Sequence, residues 1–83
     1  MSLVEMTEYL VKQVVANPDQ VTVKEFPSED EKTFVIEVLV DESDLGRVIG
    51  KGGKIANAIR TIAYAAASKD NQKVKVNIGQ PEE

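Results

Sequence analysis

The alternation of hydrophobic and polar residues divides the chain into helical and extended segments, and the first segment has helical spacing. Ser2 and Glu5 have the spacing of a capping box, which predicts that a helix begins there. Asn17-Pro18 is expected to end it, because a residue before proline disfavours the α region. Its apolar stripe contains Leu3, Met6, Leu10 and Val14, widened by Val4, Val11 and Val15.

Three later segments alternate with the period of two that is typical of half-buried strands. Residues 20–26 and 32–40 are separated by the polar turn 27–31, which predicts an antiparallel hairpin. Residues 73–78 form the third strand. The inward positions are expected to be Val21 and Val23, then Phe34, Ile36, Val38 and Val40, then Val74, Val76 and Ile78.

Two helices joined by a glycine turn are predicted between the second and third strands. Ser43 is expected to cap a short helix that carries Leu45, Val48 and Ile49 on one face. Gly46 costs that helix about 1 kcal/mol relative to alanine, so it indicates close approach of another backbone, within the domain in preference to across a dimer. The buried stripe of the longer helix is predicted to be Ile55, Ile59, Ile62 and Ala66.

The turn between these helices has the sequence Gly50-Lys51-Gly52-Gly53. Gly50 is expected to end the short helix with a positive φ. The next two glycines leave the backbone bare where the longer helix begins, and a helix N-terminus favours an anion. Lys51 and Lys54 add positive charge. The residues therefore predict an anion-binding turn, although most glycine turns between packed helices bind nothing.

The local charge strengthens the anion-binding interpretation. From Gly46 to Ala67 the charged side chains are all positive, whereas the chain as a whole carries a net charge of −4. A basic island on an acidic protein indicates a local binding site. The spacing excludes a P-loop and a dinucleotide fingerprint, because neither glycine pattern fits. The four basic residues are Arg47, Lys51, Lys54 and Arg60.

The segment from Val48 to Ile55, followed by Ile59, resembles the signature of the K-homology (KH) domain. The G-x-x-G loop of that domain clamps about four nucleotides by their backbone. The α-β-β-α-α-β order over nearly the whole chain resembles the prokaryotic type II arrangement, and more narrowly the small stand-alone bacterial KH proteins of the KhpA family. The elements and the resemblance together predict an α+β fold, with a three-stranded mixed sheet and three helices packed on one face.

The resemblance implies a single KH domain over residues 1–83, with its core in 3–79 and a frayed acidic tail in 80–83. It implies single-stranded RNA binding of the RNA-chaperone or post-transcriptional regulator type, with weak sequence preference, and a link to cell shape and envelope control. Self-association and pairing with a larger Jag-like KH protein are implied as well. The expected RNA-binding residues are Gly50, Lys51, Gly52, Gly53, Lys54, Arg60, Arg47, Ile49 and Ile55.

Composition limits the other classes of function. The 83 residues suffice for one domain, and they include no cysteine and no histidine. Disulfides, thiolate metal sites and histidine-based catalysis are thereby excluded, so we expect neither an enzyme nor a bound metal or cofactor. No apolar run approaches the ~20 residues of a membrane span, which favours a cytoplasmic protein. Two alternatives stay open: a protein-interaction module with little RNA binding, and single-stranded DNA as the ligand.

Overall fold

The computed structural model of the protein describes residues 2–28, 30 and 32–79. Short 3-10 turns precede β1, α2 and α3 at Pro18–Gln20, Glu42–Asp44 and Lys51–Gly53. The α-β-β-α-α-β order predicted from the sequence is confirmed. The helices and strands are α1 Leu3–Lys12, β1 Thr22–Pro27, β2 Thr33–Leu39, α2 Leu45–Ile49, α3 Lys54–Lys69 and β3 Lys73–Gly79.

The three strands form one mixed sheet in the order β1-β2-β3. β1 runs antiparallel to β2, with Val23 opposite Val38. β3 runs parallel to β2, with Val76 beside Ile36. The predicted mixed sheet is therefore confirmed, and β3 is left as an edge strand beside the helical connection.

The core lies between the sheet and the helices, because only one face of the sheet is deeply buried. Ile36 and Val38 of β2 are fully buried, whereas the intervening Glu37 is half-buried. β3 alternates in the same way, with Val74 and Val76 buried. The remaining buried members of the core are Val11, Val21, Val40, Val48, Ile59, Ala63 and Ala67.

The start of α1 is as predicted. The Ser2 side chain accepts a hydrogen bond from the Glu5 amide, and the Glu5 carboxylate accepts one from the Ser2 amide, each 3.1 Å long. The predicted capping box is therefore confirmed. The predicted frayed tail 80–83, and positions 29 and 31 of the predicted turn 27–31, lie outside the described residues.

α1 ends earlier than expected, at Lys12 with Gln13 as its C-cap. The prediction that Asn17-Pro18 ends this helix is wrong. The Asp44 carboxylate accepts hydrogen bonds from the amides of Ala16 and Asn17 at 2.9 and 3.0 Å. Those amides cannot also bond to carbonyls four residues earlier, so a distant side chain stops the helix before the proline does.

The buried face of α3 also differs from the expected stripe. Ile62 is 44% exposed, and Ile55 and Ala66 are half-buried; of the expected stripe only Ile59 is buried. Small side chains let α3 approach the sheet closely, and this places the bulkier Ile62 outside. The residues that α3 buries are Ala56, Ile59, Ala63 and Ala67.

The expected cap of α2 is wrong, and so is the expectation that Gly46 meets another backbone within the domain. Ser43 is not the N-cap of α2 but lies inside the preceding 3-10 turn. Asp41 caps that turn, and its carboxylate accepts a hydrogen bond from the Ser43 amide at 3.0 Å. Gly46 is exposed, and a Cβ there would meet nothing within 4 Å. No backbone in the described part of the chain therefore requires glycine at position 46.

Candidate nucleic-acid interface

The glycine turn between α2 and α3 has an unusual backbone. Gly50, Gly52 and Gly53 have φ values of 76°, 64° and 78°. The Gly50 amide donates to the Gly46 carbonyl at 2.9 Å, which ends α2, and the Gly53 amide donates to the Gly50 carbonyl at 3.1 Å. All three positions favour glycine, because other residues adopt positive φ only at a cost. The predicted positive φ at Gly50 is confirmed.

The three glycines differ in what surrounds them. A Cβ at Gly50 would lie 2.8 Å from Ile55 Cγ1 and 3.0 Å from the Ile55 amide nitrogen. A Cβ at Gly53 would lie 3.6 Å from Asn57 Nδ2, and one at Gly52 would meet nothing within 4 Å. Gly50 is therefore packed against α3, whereas Gly52 faces open space that a ligand can enter.

Two backbone donors are available on this open side. Within the described part of the chain, the amides of Lys51 and Gly52 donate to no carbonyl, although their neighbours Gly50 and Gly53 do. The turn leads directly into the 16-residue helix α3, whose N-terminus carries partial positive charge. Unpaired N–H groups beside a helix N-terminus suit a phosphate oxygen.

Lys51 and Lys54 supply full positive charges beside these donors. Both side chains are exposed, and neither forms an ion pair with another described residue. Their ammonium groups are therefore free to follow a charged ligand that approaches Gly52.

Arg47 is placed differently, one helical turn before the loop. Its Nε lies 3.6 Å from the carboxylate of Asp44, which is 1% exposed. Hydrogen bonds from the Ala16 amide and then from Asn17, together with the Arg47 charge, hold the pKa of the Asp44 carboxyl below its ordinary value despite its burial. Arg47 therefore balances a buried anion, so its positive field at the loop is smaller than that of either lysine.

Arg60 lies against the free edge of β3. Its Nε donates to the Val76 carbonyl at 3.1 Å, and its Nη1 donates to Asn57 Oδ1 at 3.3 Å. These bonds hold the half-buried side chain across the space between α3 and the sheet edge. Arg60 was expected to add only positive charge, but it also connects α3 to the edge of β3.

The apolar site residues divide by exposure. Ile49 is 38% exposed at the end of α2, whereas Ile55 is half-buried and packs on the core behind Gly50. Asn57 was not singled out from the sequence, yet it lies between Gly53 and Arg60. Its position one helical turn after Gly53 on α3 is the sequence feature that could have identified it. Lys75 alternates with the buried Val74 and Val76 and therefore lies on the helix-free face of the sheet. Lys73, at the start of β3, is exposed beside the end of α3.

Other kinds of site have little support in the part of the chain that the structure describes. No group of three or more histidine, cysteine, aspartate or glutamate residues there could hold a metal ion. None of the described helices combines the length and the apolar character needed to cross a membrane.

Comparison with known proteins identifies close relatives. The family model described as "KhpA/KhpB, KH domain" matches residues 4–78. A protein of Clostridium perfringens named RNA-binding protein KhpA is 45% identical over 74 residues, covering 89% of this chain and 96% of that protein. The Aquifex aeolicus protein of the same name is 46% identical over 77 residues, covering 93% and 95%.

A solved structure resembles the fold with little sequence identity. It is the crystal structure of Era in complex with MgGDPNP and nucleotides 1506–1542 of 16S ribosomal RNA. The similarity covers 92% of this chain and 28% of that one, with a TM-score of 0.65 and 21% identity. The chain thus matches a little over a quarter of the larger protein, and the likeness concerns the fold alone.

Proposed function

The chain belongs to the KhpA/KhpB family of KH domains, and on that basis we propose that it binds single-stranded RNA through the Gly50–Gly53 turn. The two relatives compared above are both named RNA-binding proteins. The family is not a family of enzymes, which confirms the prediction that this chain is not one. The observation that carries the proposal is the turn itself, where positive-φ glycines, unpaired amides and free lysines meet at the start of α3.

In the proposed complex the RNA backbone passes over Gly52. The open space there lets a phosphate approach the main chain, and the amides of Lys51 and Gly52 donate to its oxygens. Lys51 and Lys54 neutralise the charge of this and the neighbouring phosphate. Contacts of this kind position the strand without reading its sequence, so weak sequence preference follows.

The bases then lie in the groove between α3 and the edge of β3. Ile49 offers an exposed apolar surface at one end, with Ile55 supporting the floor behind Gly50. Arg60 presents its guanidinium across the groove while its Nε stays on the Val76 carbonyl. Arg47 contributes less positive charge to the RNA site, because it forms an ion pair with Asp44.

The wider role is proposed from the family resemblance alone. We place a single KH domain over residues 1–83 in the cytoplasm, acting as an RNA chaperone or post-transcriptional regulator linked to cell shape and envelope control. The proposed partners are single-stranded RNA, a second copy of the chain and a larger Jag-like KH protein. One small domain with few phosphate contacts binds weakly, and a dimer would strengthen the binding by avidity.

Fluorescence anisotropy with single-stranded RNA of about four nucleotides, the length that the loop of a KH domain clamps, tests the proposal at two salt concentrations. The variant Lys51→Asp/Gly52→Asp places two carboxylates where the phosphate would lie. The matched control is Lys69→Asp/Asn71→Asp, which makes the same charge change at the other end of α3. Asn71 also has a positive φ, 57°, so both variants place aspartate at such a position.

The native protein and the control should bind RNA alike, and the affinity should fall with added salt. The loop variant should lose binding while retaining its far-UV circular dichroism spectrum. Equal loss in both variants would mean that only overall charge matters, and equal binding by all three would refute the loop as the RNA clamp. The same titrations with single-stranded DNA test whether the 2′-hydroxyl contributes.

Gly46 favours a second candidate function, that of a protein-interaction module. It lies exposed on α2 beside the loop, and no contact with the other described residues requires its side chain to be missing. A glycine that costs helix stability without such a requirement fits a surface where another chain packs closely. If the oligomeric mass measured in solution is lower for Gly46→Asp than for the native protein, and RNA binding is unchanged, this function is favoured.

A further inference from the structure

A hollow lies beyond the glycine turn, where α3 passes the beginning of β3. It has a volume of about 350 Å³ and is lined by Tyr64, Ser68, Gln72, Lys73 and Val74. An adjoining hollow of about 320 Å³ shares Ser68, Gln72 and Lys73 and adds Lys32. The lining residues thus include an aromatic and an aliphatic residue beside residues that carry hydroxyl, amide and ammonium groups.

Tyr64 is suited to a flat ligand. Its side chain is 46% exposed on α3, so part of the phenol ring lies open beside the hollow. It forms no hydrogen bond or ion pair with the other described residues. It is also not one of the described residues that form the hydrophobic core or pack against it. Aromatic side chains in such positions stack on nucleobases, and every base offers a face for stacking.

The hollow lies on the same face of α3 as Arg60, farther from the glycine turn. Arg60, Tyr64 and Ser68 follow one another at intervals of four residues, so they line one face of α3. β3 passes this face in the opposite direction, because Arg60 meets Val76 whereas Tyr64 and Ser68 share the hollow with Val74 and Lys73. Tyr64 lies ten residues after Lys54, about 15 Å along the helix axis.

We infer that this hollow binds one further base of the same RNA strand, beyond the nucleotides that the turn clamps. The base stacks on Tyr64, its edge hydrogen-bonds to Ser68 or Gln72, and its phosphate meets Lys73 or Lys32. The inference rests on the proposed function and extends it. It gives this chain an aromatic contact that the loop lacks.

RNA length separates this site from the loop. Oligonucleotides of about four nucleotides occupy the loop alone, whereas those of about eight also reach the hollow. Tyr64→Ala should weaken binding of the longer RNA roughly 5- to 150-fold, the usual effect of removing one stacking contact. It should leave binding of the shorter RNA unchanged. Tyr64→Phe keeps the stacking ring and should bind both as the native protein does.

Tyr9→Ala is the matched control, because Tyr9 is an exposed tyrosine on α1. It should bind both RNAs as the native protein does. The chain has two tyrosines and no tryptophan, so in Tyr9→Phe the tyrosine fluorescence comes from Tyr64 alone. The longer RNA should quench that fluorescence and the shorter should not.

The inference fails if the native protein binds the longer RNA and Tyr64→Ala binds it equally well, or if fluorescence is unchanged at saturation. If Lys51→Asp/Gly52→Asp binds neither RNA, that result would still support the loop as the RNA clamp in that case. Absence of RNA binding by the native protein would refute the proposed function itself. The two failures are therefore distinct.

Discussion

Three glycines in one short stretch should respond to the same substitution in three different ways. Gly46, Gly50 and Gly52 lie on α2, at its end and in the turn, and each can be changed to alanine. Gly50 combines a φ of 76° with a ψ of 173° and has Ile55 within contact. Gly52 has a φ of 64° with open space, and Gly46 has open space without a positive φ. The series therefore separates backbone strain from steric overlap.

The magnitudes follow from these surroundings. The backbone region of Gly50 is almost exclusive to glycine and costs other residues about 1–3 kcal/mol. The contact with Ile55 adds about 1–3 kcal/mol, because one of the crowded atoms is the Ile55 amide nitrogen, which no rotamer change can move. Gly50→Ala should thus lower the free energy of unfolding by about 2–6 kcal/mol, out of about 4–12 kcal/mol expected for the domain.

The other two changes should be mild. Gly52→Ala carries the positive-φ cost of about 1–2 kcal/mol, partly offset by the lower entropy of the unfolded chain. Gly46→Ala should stabilise the protein by about 0.5–1 kcal/mol, because alanine favours the helix and nothing obstructs its methyl group.

Urea unfolding followed by far-UV circular dichroism measures all three. With a slope near 1 kcal/mol per M urea, the midpoints should rank Gly46→Ala above the native protein, then Gly52→Ala, then Gly50→Ala. Equal midpoints for Gly50→Ala and Gly52→Ala would refute the role given to Ile55. A destabilised Gly46→Ala whose midpoint depends on protein concentration would show that another chain covers this position.

Three further predictions concern other parts of the molecule. Hydrogen bonds lower the pKa of the Asp44 carboxyl, so its contribution to stability is complete above about pH 4 and is lost as the pH falls through the lowered value. Asp44→Asn should therefore lower the urea midpoint at neutral pH and make it less sensitive to acid. Ile59→Ala should cost about 2–5 kcal/mol and Ile62→Ala less than about 1 kcal/mol, measured by the same unfolding curves. Lys54→Gln should reduce the slope of log affinity for RNA against log salt by about 0.7, the value for one phosphate contact on a single strand.

The sequence predicted the features that depend on local chemistry. The strand alternation held for β2 and β3, since burial on one face follows directly from a period of two. The positive φ of Gly50 followed from its place at the end of an amphipathic stretch. These features need only neighbouring residues, so the pattern sufficed.

The features that were mispredicted depend on distant partners. The early end of α1 depends on the carboxylate of Asp44, 28 residues from Ala16 in sequence. The buried face of α3 depends on how closely the helix approaches the sheet, which favoured alanines over the larger Ile62. The anchoring of Arg60 on the Val76 carbonyl depends on where β3 returns. No periodicity within one segment contains that information.

The net negative charge of the protein does not oppose an RNA site at the turn, because the charges are segregated. Asp44, the carboxylate nearest in sequence before the turn, is buried and held by amides and by Arg47. The next carboxylate after the turn is Asp70, beyond a helix of 16 residues that is about 24 Å long. Charges that far apart are screened at physiological salt, where the Debye length is about 8 Å. In the proposed complex, a phosphate at Gly52 therefore meets the field of Lys51, Lys54 and the α3 N-terminus, and we expect that field, more than the overall charge, to set the affinity for RNA.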